Sequence, residues 1–442
     1  MTDGGPLLRR AGWIMLAALF LFAGLAAAER MGALQPVRSQ LARGPAGQAL
    51  MGWLGGDTTA IADRAYARCA RKEGAAKSAC YQAVLLPLVN GTGARTAMGT
   101  LHRLGDRDRD VRFNGHEYAH MIGIAAYRAH PEVTATFATC TEIFQSGCYH
   151  GVIQTYLRSL PHVGHDEINA VCSPYTAPDA DRWLRFQCVH GMGHGLTMFY
   201  DHDLRASLAG CDALDEEWDR KSCYGGAFME NIVHATNPHD DHDPLSVGSG
   251  SMARMPMGKD GSAGASTFRA VDPSDPQYPC SILGARYQDD CYQTQPAVML
   301  TINSGDYAKT FTWCDAVPPD LRRRCYQGTG TTISGETLMN HAESARLCSL
   351  GTPAYQPWCY VGVVKNYVDV TANPADGFSF CRDVAPGAGR VACYNAVGEE
   401  IAVLRAATPA REQLCALAPG DGLDACRYGA RLSTTTPRGL EQ

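Results

Sequence analysis

Nowhere in the 442 residues do two cysteines stand three apart. The C-x-x-C spacing of redox dithiols, zinc ribbons and haem attachment is therefore missing, and the cysteines are not read as metal ligands. A glycine-rich phosphate loop and a nucleophile elbow are missing too, which removes the commonest nucleotide and acyl-transfer signatures. Lysine and arginine form no block. With 39 of them against 45 acidic residues the net charge is −6, and nothing argues for nucleic acid.

What the chain does hold is cysteine in quantity: 18, an even number. At the N-terminus, Arg9 and Arg10 precede an uncharged apolar run of 17 residues, Gly12 to Ala28, ending in Ala26-Ala27-Ala28. A basic flank before such a run reads as a secretory signal or an uncleaved signal anchor. Either way the remainder is exported, to the periplasm or cell surface, and residues 12–28 are the candidate membrane segment. Many paired cysteines in an exported chain mean disulfides.

The cysteines fall into nine consecutive pairs, usually 11 or 12 residues apart. From Cys280 the first members recur at 314, 348, 381 and 415, a period of 33 or 34 that marks a helix–turn–helix array. The second cysteine is commonly followed by an aromatic and then a small residue, as in Cys148-Tyr149-His150-Gly151 and Cys359-Tyr360-Val361-Gly362. An apolar run of helical length comes next. Each unit reads as helix A, a short loop, and helix B, with a disulfide from the end of A to the start of B. The fold class expected is all-α: an αα-hairpin solenoid of about ten repeats of about 34 residues.

The paired cysteines and Cys-Tyr-x-Gly segments, over roughly residues 58–434, resemble the Sel1-like and Helicobacter cysteine-rich repeat proteins. That resemblance implies an αα-solenoid with one disulfide per repeat, and it implies nothing about function. The pair spacing here is longer and more varied. The expected organisation is a signal or anchor (1–29), a linker (30–57), N-terminal repeats (58–235), a long loop or lid (236–272), C-terminal repeats (273–434) and a tail (435–442).

The repeats let the chain be compared with itself. Two residues after the second cysteine stand Gln82, His150, His190, Gly225, Gln293, Gln327, Val361 and Asn395. Six residues after it stand Leu86, Gln154, His194 and Met229. One unit, near 91–129, has no cysteine; with Asn114 as its anchor, His116 and His120 fall in the same two slots. Positions four apart share one face of a helix. Three neighbouring B helices would then turn His116, His120, His150, His190 and His194 toward one groove. Thirteen of the 14 histidines lie between His102 and His242. Imidazole is the commonest protein metal ligand, so these five are candidate ligands for zinc, copper or iron, in a mononuclear or dinuclear centre. The competing expectation is a metal-free polar ladder, because the first slot holds Gln or Asn in several units.

His116-Glu117-Tyr118-Ala119-His120 matches H-E-x-x-H and resembles the zinc metalloprotease motif, in which the glutamate is the general base. The glycine-rich context and third-ligand spacing of those proteases are missing here. Glu117 also departs from a pattern of small residues: Ala83, Gly151, Gly191, Gly226, Gly328, Gly362 and Ala396. It is the candidate catalytic base, with a ligand, a partner orienting an imidazole, or a surface charge as alternatives. Glu230 on the next helix B could reach the same cavity but is read as a solvated helix face, and Met229 is read as core. The loop holds His239-Asp240-Asp241-His242 and Met252, Met255 and Met257, a set that hints at copper or a lid, with a solvated, flexible loop as the competing expectation.

The expected function is thus an exported, metal-binding repeat protein, hydrolytic or oxidative, acting on a small molecule or peptide in its concave groove. The alternatives are a scaffold that binds a peptide or protein without catalysis, and a copper or zinc carrier.

Overall fold

A computed structural model describes residues 57–176, 182–236 and 270–440 of the chain. The apolar run 12–28 and residues 237–269 of the long loop lie outside them. Among the described residues the regular structure is helical throughout, with 21 α-helices and no strand. None of these helices is long and apolar enough to cross a membrane.

The helices form ten hairpins in two layers. The inner helices are α1 (Gly74–Thr92), α2 (Gly115–Ala129), α3 (Gly147–Ser159), α4 (Arg182–Phe199), α5 (Glu217–Thr236), α6 (Ala285–Thr294), α7 (Arg322–Glu336), α8 (Gln356–Thr371), α9 (Ala388–Leu404) and α10 (Leu423–Gly429). Pro296 breaks α6, and a short helix, Pro296–Ile302, continues it. The outer helices are mostly shorter, for example Leu204–Asp212, Tyr307–Asp315 and His341–Cys348.

The same local devices recur through the hairpins. Inner helices end where the backbone turns left-handed, at Asp201 and His202, Ser304, Leu338 and Met339, and Ala372. An Asp or Asn then caps the next outer helix: Asp203 accepts from the Ala206 N–H at 3.1 Å, Asp306 from Lys309 at 3.0 Å and Asn340 from Glu343 at 3.0 Å. At the other end of the outer helix a disulfide joins it to the inner helix. All nine consecutive cysteine pairs are bonded and no free cysteine remains. Loops of this size stabilise a fold by roughly 2–3 kcal/mol each in the chain-entropy account. They point to an oxidising compartment. The tyrosine after the second cysteine buries its ring and keeps a polar end: Tyr326 donates to Asp315 at 2.8 Å and Tyr81 to Asp108 at 2.7 Å.

Glycine sets the spacing of the inner layer. A Cβ at Gly151 would stand 2.2 Å from the carbonyl oxygen of His120, and one at Gly123 would stand 2.0 Å from that of Cys148. Backbones of α2 and α3 therefore touch directly, which is what the small residue in the repeat is for. Side chains in equivalent slots of neighbouring helices are thereby brought within reach of each other.

The solenoid is tightly wound. The loop before α3 meets α8: the Phe144 N–H donates to the Val370 carbonyl at 3.0 Å, and Gln145 donates to Asn366. In the same way α4 packs on α9. Each contact joins a helix to the one five further along, so about five hairpins complete a superhelical turn.

Candidate metal centre

The two histidine slots face inward, as their spacing demands. On α2, His116 and His120 stand one turn apart; α3 supplies His150 and α4 supplies His194. One ring nitrogen from each of these four lies within 4.8 Å of those of the other three. Ring centroids are 4.6 Å apart for His116 and His120, and 5.2 Å apart for His150 and His194. His150 is 3% exposed and His194 2%, while His116 and His120 keep an edge toward solvent.

The second nitrogen of every ring meets an acceptor. His116 Nδ1 lies 2.9 Å from the backbone oxygen of Phe144. His120 Nδ1 lies 3.1 Å from Gln154 Oε1, and the same amide turns its Nε2 to the sulfur of Met198. His150 Nε2 lies 3.0 Å from Gln187 Oε1, and His194 Nδ1 lies 2.9 Å from Glu230 Oε2. Carbonyl and carboxylate oxygens only accept, so the nitrogen facing each of them carries the proton. The other nitrogen then presents a lone pair: Nε2 of His116, His120 and His194, and Nδ1 of His150. His194 Nε2 and His150 Nδ1 are buried and have no hydrogen-bond partner.

The Nε2 atoms of His116 and His120 stand 3.1 Å apart. With both Nδ1 atoms protonated, that separation opposes two lone pairs. A cation between them turns the repulsion into coordination. Ligands about 2.0–2.1 Å from a tetrahedral ion are roughly 3.3 Å from one another. The His116–His120 distance already matches, and the four nitrogens as a set lie within 4.8 Å of one another.

Protonation state favours the same chemistry. Burial first, and then the neighbouring imidazoles, holds His150 well below the ordinary histidine value. A neutral ring is the form that binds metal. Ligating histidines characteristically give their other N–H to a carboxylate or carbonyl, which fixes the tautomer and the ring plane. All four rings here do so.

His190 stands beside the group. Its ring centroid is 4.9 Å from that of His150 and 5.2 Å from that of His194, and it bonds the backbone of Ser222. It lies outside the set of four converging nitrogens. Desolvation also holds it well below its ordinary value. Glu117, in the first turn of α2, is exposed and is not part of the group.

One expectation changes. Glu230 is not on a solvated face: it is 3% exposed and bonded to His194. Gln154 and Gln187, which lie outside the first slot, are the groups that meet two of the rings. In the repeat frame Glu230 stands seven residues after Cys223, one residue past the second histidine slot. Phe144 was not legible, since it acts through its backbone. No family model, curated protein or solved structure matches the chain.

Proposed function

We propose that the protein is an exported metalloprotein that holds one transition-metal ion on His116, His120, His150 and His194. The observation that carries this reading is that one nitrogen of each of the four rings lies within 4.8 Å of those of the others, while each ring also meets its own acceptor. An all-imidazole donor set suits zinc, copper, iron or nickel and disfavours magnesium and calcium. Glu230 supplies a negative charge behind His194 that offsets part of the ion's charge. The disulfides keep three separate inner helices in the register that such a set requires.

Four nitrogens fill a tetrahedral ion. Hydrolytic zinc sites keep one position open for water. The donor set therefore favours holding the ion, for redox cycling or delivery, over hydrolysis with Glu117 as base. A five-coordinate ion with a small molecule approaching the exposed edges of His116 and His120 is the catalytic form of this reading.

Elemental analysis of protein produced in an oxidising compartment tests it. One equivalent of a first-row metal is expected in the wild type and in Glu117→Gln, and much less in His150→Ala/His194→Ala. An equal metal content in the double variant, with folding and disulfides intact, would refute the assignment. Loss of turnover with metal retained in Glu117→Gln would revive the hydrolase.

A further inference from the structure

Three successive residues without the freedom of glycine, Phe144, Gln145 and Ser146, adopt left-handed backbone angles, with φ of 55°, 52° and 58°. Each such residue is disfavoured by contact between its Cβ and the following carbonyl. A run of three persists only where its surroundings impose it. The surroundings are specific. The Phe144 ring fills the space beside Gly115, where a Cβ would stand 2.1 Å from its Cδ1, and it also abuts Gly105. The Phe144 N–H donates to the Val370 carbonyl of α8. Gln145 Nε2 donates to Asn366 Oδ1, also on α8. Asn366 is buried, and its own Nδ2 donates to Ser334 Oγ on α7 at 2.9 Å.

The product of this arrangement is the orientation of one carbonyl. Phe144 oxygen takes the Nδ1–H of His116 and so decides where His116 Nε2 points. A chain of contacts thus runs from Ser334 through Asn366 and Gln145 to Phe144 and His116. It crosses from one superhelical turn to the next, five hairpins away in sequence.

We propose that Asn366 is a positioning residue for the metal centre: by clamping the strained Phe144–Ser146 turn from the next superhelical turn, it presents the carbonyl that aims His116. The C-terminal repeats, which contribute none of the four ligands, thereby complete the site. This rests on the four-histidine reading above.

The full exported chain is compared as wild type, Asn366→Ala, Asn366→Asp and His116→Ala. Metal affinity is measured by chelator competition with cobalt(II), and the cobalt spectrum reports the ligand set. Circular dichroism and thiol titration confirm that each variant is folded and fully disulfide-bonded. Asn366→Ala should bind at least about tenfold more weakly, the usual effect of losing a group that orients a ligand, and its spectrum should move toward that of His116→Ala. Asn366→Asp still accepts from Gln145 and takes a hydrogen bond from Ser334, so it should restore the wild-type spectrum. Wild-type affinity and spectrum in Asn366→Ala, alongside weakened binding in His116→Ala, would overturn the positioning role and leave the metal site standing. No cobalt binding by the wild type would overturn both.

Discussion

Replacing Glu230 with glutamine separates charge from geometry at this centre. Glutamine keeps an acceptor for the His194 Nδ1–H, now 2.9 Å from Glu230 Oε2, and removes only the negative charge. A metal–nitrogen bond of about 2 Å, the width of the ring and that hydrogen bond place the carboxylate roughly 6–7 Å from the ion. At an effective dielectric constant of about 20, a divalent ion and a unit charge attract by about 5 kcal/mol at that distance. Water at the edges of His116 and His120 and the cost of burying the carboxylate reduce the difference. A tenfold loss of affinity, about 1.4 kcal/mol, is the smallest outcome consistent with the geometry. The assay is chelator competition together with thermal unfolding, each with and without metal. Glu230 is 3% exposed, so removing its charge should leave the metal-free protein at least as stable as before. The metal-loaded protein should lose part of its gain, because stabilisation by a ligand follows its concentration relative to the dissociation constant. Glu230→Ala, which also releases the ring, should bind more weakly still. Affinity in Glu230→Gln equal to the wild type would refute the electrostatic reasoning and imply that Glu230 only orients His194.

Two further outcomes follow from packing and charge. Gly151→Ala places a methyl 2.2 Å from the His120 carbonyl and should cost about 1–3 kcal/mol, whereas Gly91→Ala meets open space and should not destabilise; paired chemical denaturation curves check the contrast. The Asp290 carboxyl is pushed up to about 7, by desolvation and then by Asp289, from an ordinary 3.8. Between those values the folded protein binds a proton that the unfolded chain does not, so stability falls as pH rises through this window. Asp290→Asn should therefore raise the melting temperature more at pH 8 than at pH 5. An equal shift at both would exclude Asp290 as the source.

Much of the site was legible because the protein repeats. Periodic cysteines supply an internal ruler, and on that ruler His116/His120 and His190/His194 fall into equivalent slots without any relative for comparison. Helical spacing of four then decides that each pair shares a face. Glu230 escaped because one carboxylate on one helix carries no sign of burial until the neighbouring helix is placed. His190 sits in a slot equivalent to that of His116, yet it stays outside the four converging nitrogens. Its slot partner on the next helix is Gly225, which offers no side chain to support it, and its ring turns to the Ser222 backbone instead.

By itself the sequence determined the all-helical repeat, the partners of all nine disulfides and the inward face of the histidine slots. These are local properties, set by period, by cysteine spacing within one hairpin and by the pitch of a single helix. The tertiary structure alone decided that four histidines converge, that Glu230 and two glutamines back them, and that α8 reaches across to orient His116. Those outcomes depend on the curvature accumulated over successive hairpins. The rotation from one unit to the next, where helix backbones meet at glycine, adds up to a turn in about five, and no short stretch of sequence records that sum.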